Sequence, residues 1–465
     1  MKKIFLILLT IAFTTFSSCK KWVEVDQVSP NNLVTAGLAQ YLLASEVATF
    51  QNETSNIDRT ASVLVQQLAG LQFQMQSVAI YDIKEDNNQD DWYGLYTGAL
   101  VNIKSLIDNA GSTNPYYRGI GEVLKAMNLG IATDTWGDVP DAGASNGAAG
   151  TTAALNPPFE AQQAIYADIQ SLLTAAIADL SQPTKANAIV PGSDDLIFSG
   201  NIAQWLQNAW ILKARYDIHL TKMDANGSST KALADLTSAN ATSSANDMFA
   251  VFGSQSSNNN PWYSFQNLRT GYVLISKPFI NKLKTTLDPR LPFYATKDTG
   301  GGYSGSPVDP DSANASASDV GTYLAGMTAP IPMVTYVEAE FISAEANFRL
   351  GNIGVAAAAY NTAVAASVLQ VTGTAIPAAF KALVGNETAG TITLAKIMGQ
   401  KYIALFGQFE VWNDWRRTNL PALNPCAAGL VNVIPLRLPT VVDERLYNKN
   451  AVVVEDITKP VWWDQ

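Results

Sequence analysis

Residues 336–364, YVEAEFISAEANFRLGNIGVAAAAYNTAV, decide how this chain is read. Val337, Phe341, Ala344 and Phe348 recur at three- and four-residue steps, which places them on one face of a helix. Glu338, Glu340 and Glu345 fall elsewhere on that helix, and Glu338/Glu340 read as its solvated surface. Gly351-Asn352 ends it, as a left-handed cap does. A second helix then starts at about Gly354, with Ala356 to Ala359, Tyr360, Ala363 and Val364. Its small residues allow two antiparallel helices to approach closely.

Glu338-Ala339-Glu340, Ala344-Glu345-Ala346, Leu350-Gly351 and Ala359-Tyr360 resemble a tetratricopeptide unit, a helical pair of about 34 residues. The same helical period runs through much of the chain. Segments 91–107, 115–136, 159–180 and 200–221 repeat it, with Ile120, Val123, Leu124, Met127 and Ile131 on one face of the second. Breaker-rich loops at 137–158, 253–261 and 299–319 separate them. None has the length or monotony of an interdomain tether. The expectation is a mostly α fold: a scaffold of tetratricopeptide-like helical pairs with long irregular loops and few short strands.

The N-terminus sets the compartment. Lys2 and Lys3 precede an apolar run from Ile4 to Phe13 and the small pair Ser17-Ser18, the order of a secretory signal peptide. The run is too short to span a bilayer, which takes about 20 residues. Phe16-Ser17-Ser18-Cys19 resembles a bacterial lipobox, which implies cleavage after residue 18, diacylglyceryl attachment at Cys19 and further acylation such as palmitate. Each buried CH₂ of such chains contributes about 0.8 kcal/mol to membrane binding. The expected organisation is a signal peptide over 1–18 and a single domain over 19–465.

Removing residues 1–18 takes away two lysines and no acid, so the formal charge moves from −10 to −12. An acidic chain without a basic block does not neutralise phosphates, so nucleic acid is not an expected partner. Cys19 and Cys426 are the two cysteines, and His219 is the single histidine. With Cys19 assigned to lipid, no disulfide framework or cysteine zinc site can be built. His219 sits in the helical stretch Trp210–Leu220 and reads as structural. No cofactor, metal or catalytic residue is expected. A glycosidase needs only two carboxylates, but Asp90-Asp91 and Asp194-Asp195 precede helices and read as caps.

Several further segments occur in a fixed order: Cys19-Lys20-Lys21-Trp22-Val23-Glu24-Val25-Asp26 with Ser29-Pro30-Asn31, then Trp92-Tyr93-Gly94-Leu95-Tyr96-Thr97-Gly98-Ala99-Leu100, then Trp136-Gly137-Asp138-Val139-Pro140. Asp288-Pro289-Arg290-Leu291-Pro292, the helical pair at 336–364, Gln400-Lys401-Tyr402-Ile403-Ala404-Leu405-Phe406, Trp412-Asn413-Asp414-Trp415-Arg416-Arg417-Thr418 and Arg437-Leu438-Pro439 follow. Together they resemble the SusD/RagB family of outer-membrane nutrient-binding lipoproteins of Bacteroidetes. The resemblance implies a SusD-like α-α superhelix. It implies a non-catalytic lipoprotein, anchored in the outer membrane and facing the cell surface, that binds a nutrient, an oligosaccharide first among them. It also implies delivery to a TonB-dependent, SusC-like transporter. Lys20 and Lys21 stand where acids often follow the cysteine in surface-exported lipoproteins. A surface glycosidase and a tetratricopeptide-type protein-interaction scaffold are the alternatives.

The resemblance places the ligand on loops. A sugar presents C–H faces to aromatic rings and hydroxyl edges to fixed polar groups. Residues 258–272, NNNPWYSFQNLRTGY, offer both at an expected loop tip, which nominates Asn260, Trp262, Tyr263, Arg269 and Tyr272. Tyr81 heads a second stretch, Tyr81–Gln89, and Tyr303 is a further candidate. Trp92 reads as core, and Asp288, Arg290, Asp414, Arg416 and Arg417 read as framework. On this basis Trp262→Ala is expected to weaken ligand binding by about 1–3 kcal/mol without changing the melting transition.

Overall fold

A computed structural model of the chain describes residues 37–465 except 55, 148 and 149. The signal segment and Cys19 lie outside the described residues. The scaffold begins with α1 (Leu38–Asn52), α2 (Asn56–Leu64), α3 (Val101–Ala110) and α4 (Pro115–Trp136). It continues through α5 (Gln162–Leu180), α6 (Ile202–His219) and α7 (Ala225–Ala239). After the short α8 (Pro261–Leu268) and α9 (Lys277–Thr285) come α10 (Tyr336–Arg349), α11 (Ile353–Thr372), α12 (Leu394–Ala404) and α13 (Glu410–Thr418).

Successive helices pack on one another in an unbroken series: α3 on α4, α4 on α5, α5 on α6, α6 on α7, α7 on α10 and α10 on α11. No single pair could bury its apolar stripe alone, and stacking makes one continuous core. The close approaches come from small residues. A Cβ at Gly130 on α4 would stand 2.1 Å from the Tyr216 hydroxyl of α6, so only glycine admits that crossing. At the α10–α11 turn, Gly351 takes φ +80°, and Asn352 N–H donates to the Asn347 carbonyl at 2.8 Å. Helix α11 is long and apolar enough to cross a membrane, but Ala356, Tyr360, Ala363 and Val364 are buried against α10 and its neighbours.

The expected surface at Glu338/Glu340 is corrected at Glu338. Glu338 and Glu345 are buried, and Glu340 is half-buried. Arg215 of α6 meets Glu338 in a two-pronged pair, with Nε to Oε1 at 2.7 Å. Arg417 of α13 bridges Glu345 of α10 and Asp414 of its own helix. These carboxylates therefore lock the helical stack from within, a placement that a helical wheel cannot reveal. His219 is also internal. Its Nε2 meets Glu410 Oε2 at 2.8 Å and its Nδ1 meets the Tyr166 hydroxyl at 2.9 Å.

Short strands are buried in the core and also fix the loops. β1 (Leu68–Gly70) pairs antiparallel with β3 (Val273–Ile275), in the register Leu68↔Ile275 and Gly70↔Val273. β2 (Met248–Ala250) pairs with β4 (Ile331–Val334). The framework reading of Asp288 and Arg290 matches the structure: Asp288 accepts from the Arg290 amide at 3.0 Å and from its guanidinium at 2.7 and 2.9 Å. Arg416 lies over the Trp412 ring, 4.0 Å from its centroid.

Candidate ligand-binding cleft

The β1–β3 register builds the site. Gly70 is opposite Val273, so the residues just beyond β1 meet those just before β3. A Cβ at Gly271 would lie 3.4 Å from Gln72 Nε2. Phe73, the next residue after Gln72, stacks diagonally on Tyr272, the residue before Val273, with centroids 4.9 Å apart and planes 25° from parallel. Phe73 is 66% exposed, and its backbone takes φ +50°. A bulky residue in the left-handed region carries about 1–3 kcal/mol of strain, and such residues concentrate where a chain binds something. Tyr272 stands edge-on to Phe265, at 6.2 Å and 88°.

Beside this pair opens a cleft of about 420 Å³. Phe265 and Arg269 of the 258–272 stretch line one wall, and Asn87, Asn88, Asp90 and Asp91 line another. The two stretches singled out in the sequence therefore meet at one cavity. Arg59 on α2 lies between them, its guanidinium 4.4 Å from the centroid of Phe265. Burial pulls the pKa of Arg59 down to about 10, against the opposing charges of Asp91 and Asp58. Arg59 Nε and Asn88 Nδ2 are buried without a hydrogen-bond partner among the described residues. Unpaired donors of this kind in a cleft wall suit an oxygen-rich ligand. Asn56 donates to Asp91 at 3.2 Å, and Asn87 Oδ1 accepts from the Lys84 amide at 2.7 Å.

Not every nominated residue is placed to touch a ligand. Trp262 is 0% exposed, so it has no face to offer, and the loop-tip expectation is corrected. Asn260 caps a helix instead: its Oδ1 accepts from the amides of Trp262 and Tyr263, at 2.7 and 3.2 Å. Its Nδ2 donates to the Ala329 carbonyl at 2.7 Å, so both ends of this buried side chain are framework. Asn-Pro at the N-cap and first helical positions was the available signal. Tyr81 is likewise buried, and its hydroxyl accepts from the Cys426 amide at 2.8 Å. Tyr263 is half-buried on α8. Tyr303 does not line the cleft and carries the Lys297 ammonium 4.0 Å above its ring. Arg269 and Tyr272 keep accessible positions in or beside the cleft. Phe73 was missed because nothing local in Leu71-Gln72-Phe73-Gln74 separates an exposed ring from a buried one.

The carboxylates read as caps also need refinement. Asp90 and Asp91 lie in the first turn of the helix Gln89–Tyr93. Asp195 is a buried turn organiser, accepting from the amides of Ile197, Phe198 and Gly200 and from Trp205 Nε1.

The family model described as "Starch-binding associating with outer membrane", SusD-like, matches residues 30–439. No functionally curated sequence matches the chain. Among solved structures, a SusD/RagB family protein from Bacteroides thetaiotaomicron is 25% identical, with a TM-score of 0.74 over 92% of this chain and 98% of the other. A protein named as chitin-binding superposes with a TM-score of 0.78 at 22% identity, over 92% of this chain and 100% of the other. A chitin-binding SusD homolog from Flavobacterium johnsoniae gives 0.77 at 19% identity, over 91% and 98%. The resemblance places the ligand on loops, but most of the cleft lining comes from helices. With the stacked helical pairs and a family match that spans most of its length, the chain belongs to the SusD-like family of outer-membrane-associated proteins.

Proposed function

We propose that this protein is a non-catalytic lipoprotein that captures an oligosaccharide and passes it to a TonB-dependent, SusC-like transporter. In this reading residues 1–18 are removed, Cys19 carries the lipid, and residues 19–465 form one domain facing the cell surface. The family description and the chitin-binding names of two structural relatives support a glycan as ligand. One observation carries the reading: the exposed Phe73–Tyr272 stack beside a cleft lined with amides, carboxylates and two arginines. An aromatic platform accepts the C–H face of a sugar ring, and the cleft groups accept and donate to its hydroxyls.

Calorimetric titration of the purified protein with chitohexaose and maltohexaose tests it. Binding of either sugar, weakened in Phe73→Ala and Arg269→Ala, is expected. Binding that both variants leave intact would remove this cleft from the reading. Release of new reducing ends by the wild type would replace the carrier with a glycosidase.

A further inference from the structure

A second and larger cleft, about 840 Å³, lies in the C-terminal half between α9, α11, α12 and the loop at 422–427. Its volume is within the range of small-ligand sites. None of the residues lining it belongs to the Phe73–Tyr272 site.

Three helices each bring a hydrogen-bond donor to its walls. Lys282 of α9 is half-buried and has no carboxylate within ion-pair distance among the described residues. Burial alone pulls its ammonium below the usual lysine range. Tyr360 of α11 is 2% exposed, its ring edge-on to Phe341 at 6.3 Å, and its hydroxyl has no hydrogen-bond partner among the described residues. Gln400 of α12 has its carbonyl oxygen held by Arg290 Nη2 at 2.9 Å. That contact fixes the amide and turns its N–H₂ group away from the guanidinium. Two of the other three charges in the cleft cancel, and the third, Asp309, has no ion-pair partner among the described residues. Lys396 and Glu387 neutralise one another, with both carboxylate oxygens 2.8 Å from the ammonium. Asp309 accepts from the Asp311 amide at 3.0 Å. Leu383, 60% exposed, and Val384 supply an apolar wall.

We propose that this cleft is a second ligand site, for an acidic saccharide whose carboxylate faces Lys282. A half-buried, unpaired ammonium gains most from an anion, through a charge-assisted hydrogen bond. The buried uncharged groups, Tyr360 and Gln400, are both left with donors, and a sugar acid presents acceptor oxygens along its whole edge. An acidic peptide would need buried acceptors for its own N–H groups, which suits the lining less well. Leu383 and Val384 meet the C–H face of the ring. The site stands independently of the glycan reading of the first cleft.

Tri-galacturonate and its methyl ester are the probes, titrated calorimetrically into the full-length lipid-free protein. The acid is expected to bind about tenfold more tightly than the ester, a difference of about 1.4 kcal/mol. Lys282→Met should bring the acid to the affinity of the ester, and Tyr360→Phe should weaken both. Phe73→Ala and Arg269→Ala should leave the advantage of the acid over the ester unchanged. Lys282→Met alters a half-exposed side chain, and an unchanged thermal transition confirms its fold. Four outcomes would overturn the site: equal affinity for acid and ester, no binding of the acid, loss of binding in Phe73→Ala instead of Lys282→Met, or binding of an oligoglutamate peptide in place of the saccharide.

Discussion

Phe73 and Tyr272 stack 4.9 Å apart although 198 positions of chain separate them, and the ladder Gly70↔Val273 is what brings them together. The ring that the ladder exposes carries backbone strain, and the ring beside it leans on Phe265. Binding and stability therefore oppose each other at Phe73.

Phe73→Gly relieves the left-handed conformation and removes the exposed ring. It is expected to raise the unfolding free energy by about 1 kcal/mol. The same change should weaken glycan binding by about 1–2 kcal/mol. Denaturant titration and calorimetry on one preparation read both. A variant that loses stability and keeps its affinity contradicts the assignment.

Trp262→Ala acts in the opposite sense from the expectation that treated this ring as a loop platform. The side chain is wholly buried, with Arg59 5.8 Å from its ring centroid. Truncation should cost about 3–5 kcal/mol of stability. An unchanged urea midpoint, together with lost binding, would restore the loop-platform role.

Arg417 holds two carboxylates from two helices. Arg417→Leu leaves Glu345 with Arg349 alone and Asp414 with Lys401 alone, and should cost about 3 kcal/mol. Ligand affinity, measured well below the new melting temperature, should not change. Burial pushes the Glu345 carboxyl up, but Arg417 outweighs it and holds the group at about 2. A depressed acid stabilises the fold above its unfolded value and loses that contribution as pH falls. Wild-type stability should therefore fall between about pH 4.5 and 2 by more than that of a Glu345→Gln variant.

His219 gives the alkaline counterpart. Burial lowers its pKa, while Glu410 and Asp134 raise it further, to about 9. A raised base stabilises the folded state fully below its unfolded value, near 6.5, and the contribution disappears as pH rises through 9. The stability difference between wild type and His219→Gln should shrink by on the order of 3 kcal/mol across that window. A difference that stays constant with pH would show that His219 is neutral in the fold.

Much of the scaffold was legible. The helix expected at 115–136 is α4, and the turn at Gly351-Asn352 closes α10 as its residues require. Both signals are local: a 3.6-residue apolar period and a residue free to take positive φ. The pair Asp288–Arg290 was legible for the same reason, since two positions of separation put carboxylate and guanidinium within reach. Charges on helices were not. Glu338 looks solvated on a wheel and Glu345 falls off the apolar face, because the partners that justify their burial, Arg215 and Arg417, come from distant helices.

The candidate site divides along the same line. The sequence by itself determined that residues 81–89 and 258–272 carry groups suited to a sugar, and composition excluded a basic surface. Only the tertiary structure decided which of those groups reach a ligand. It buried Trp262, Asn260 and Tyr81, kept Arg269 and Tyr272 accessible, and added Phe73. Burial is settled by what packs against a residue from remote chain. A three-residue ladder between β1 and β3 therefore fixes what no periodicity around Phe73 could show.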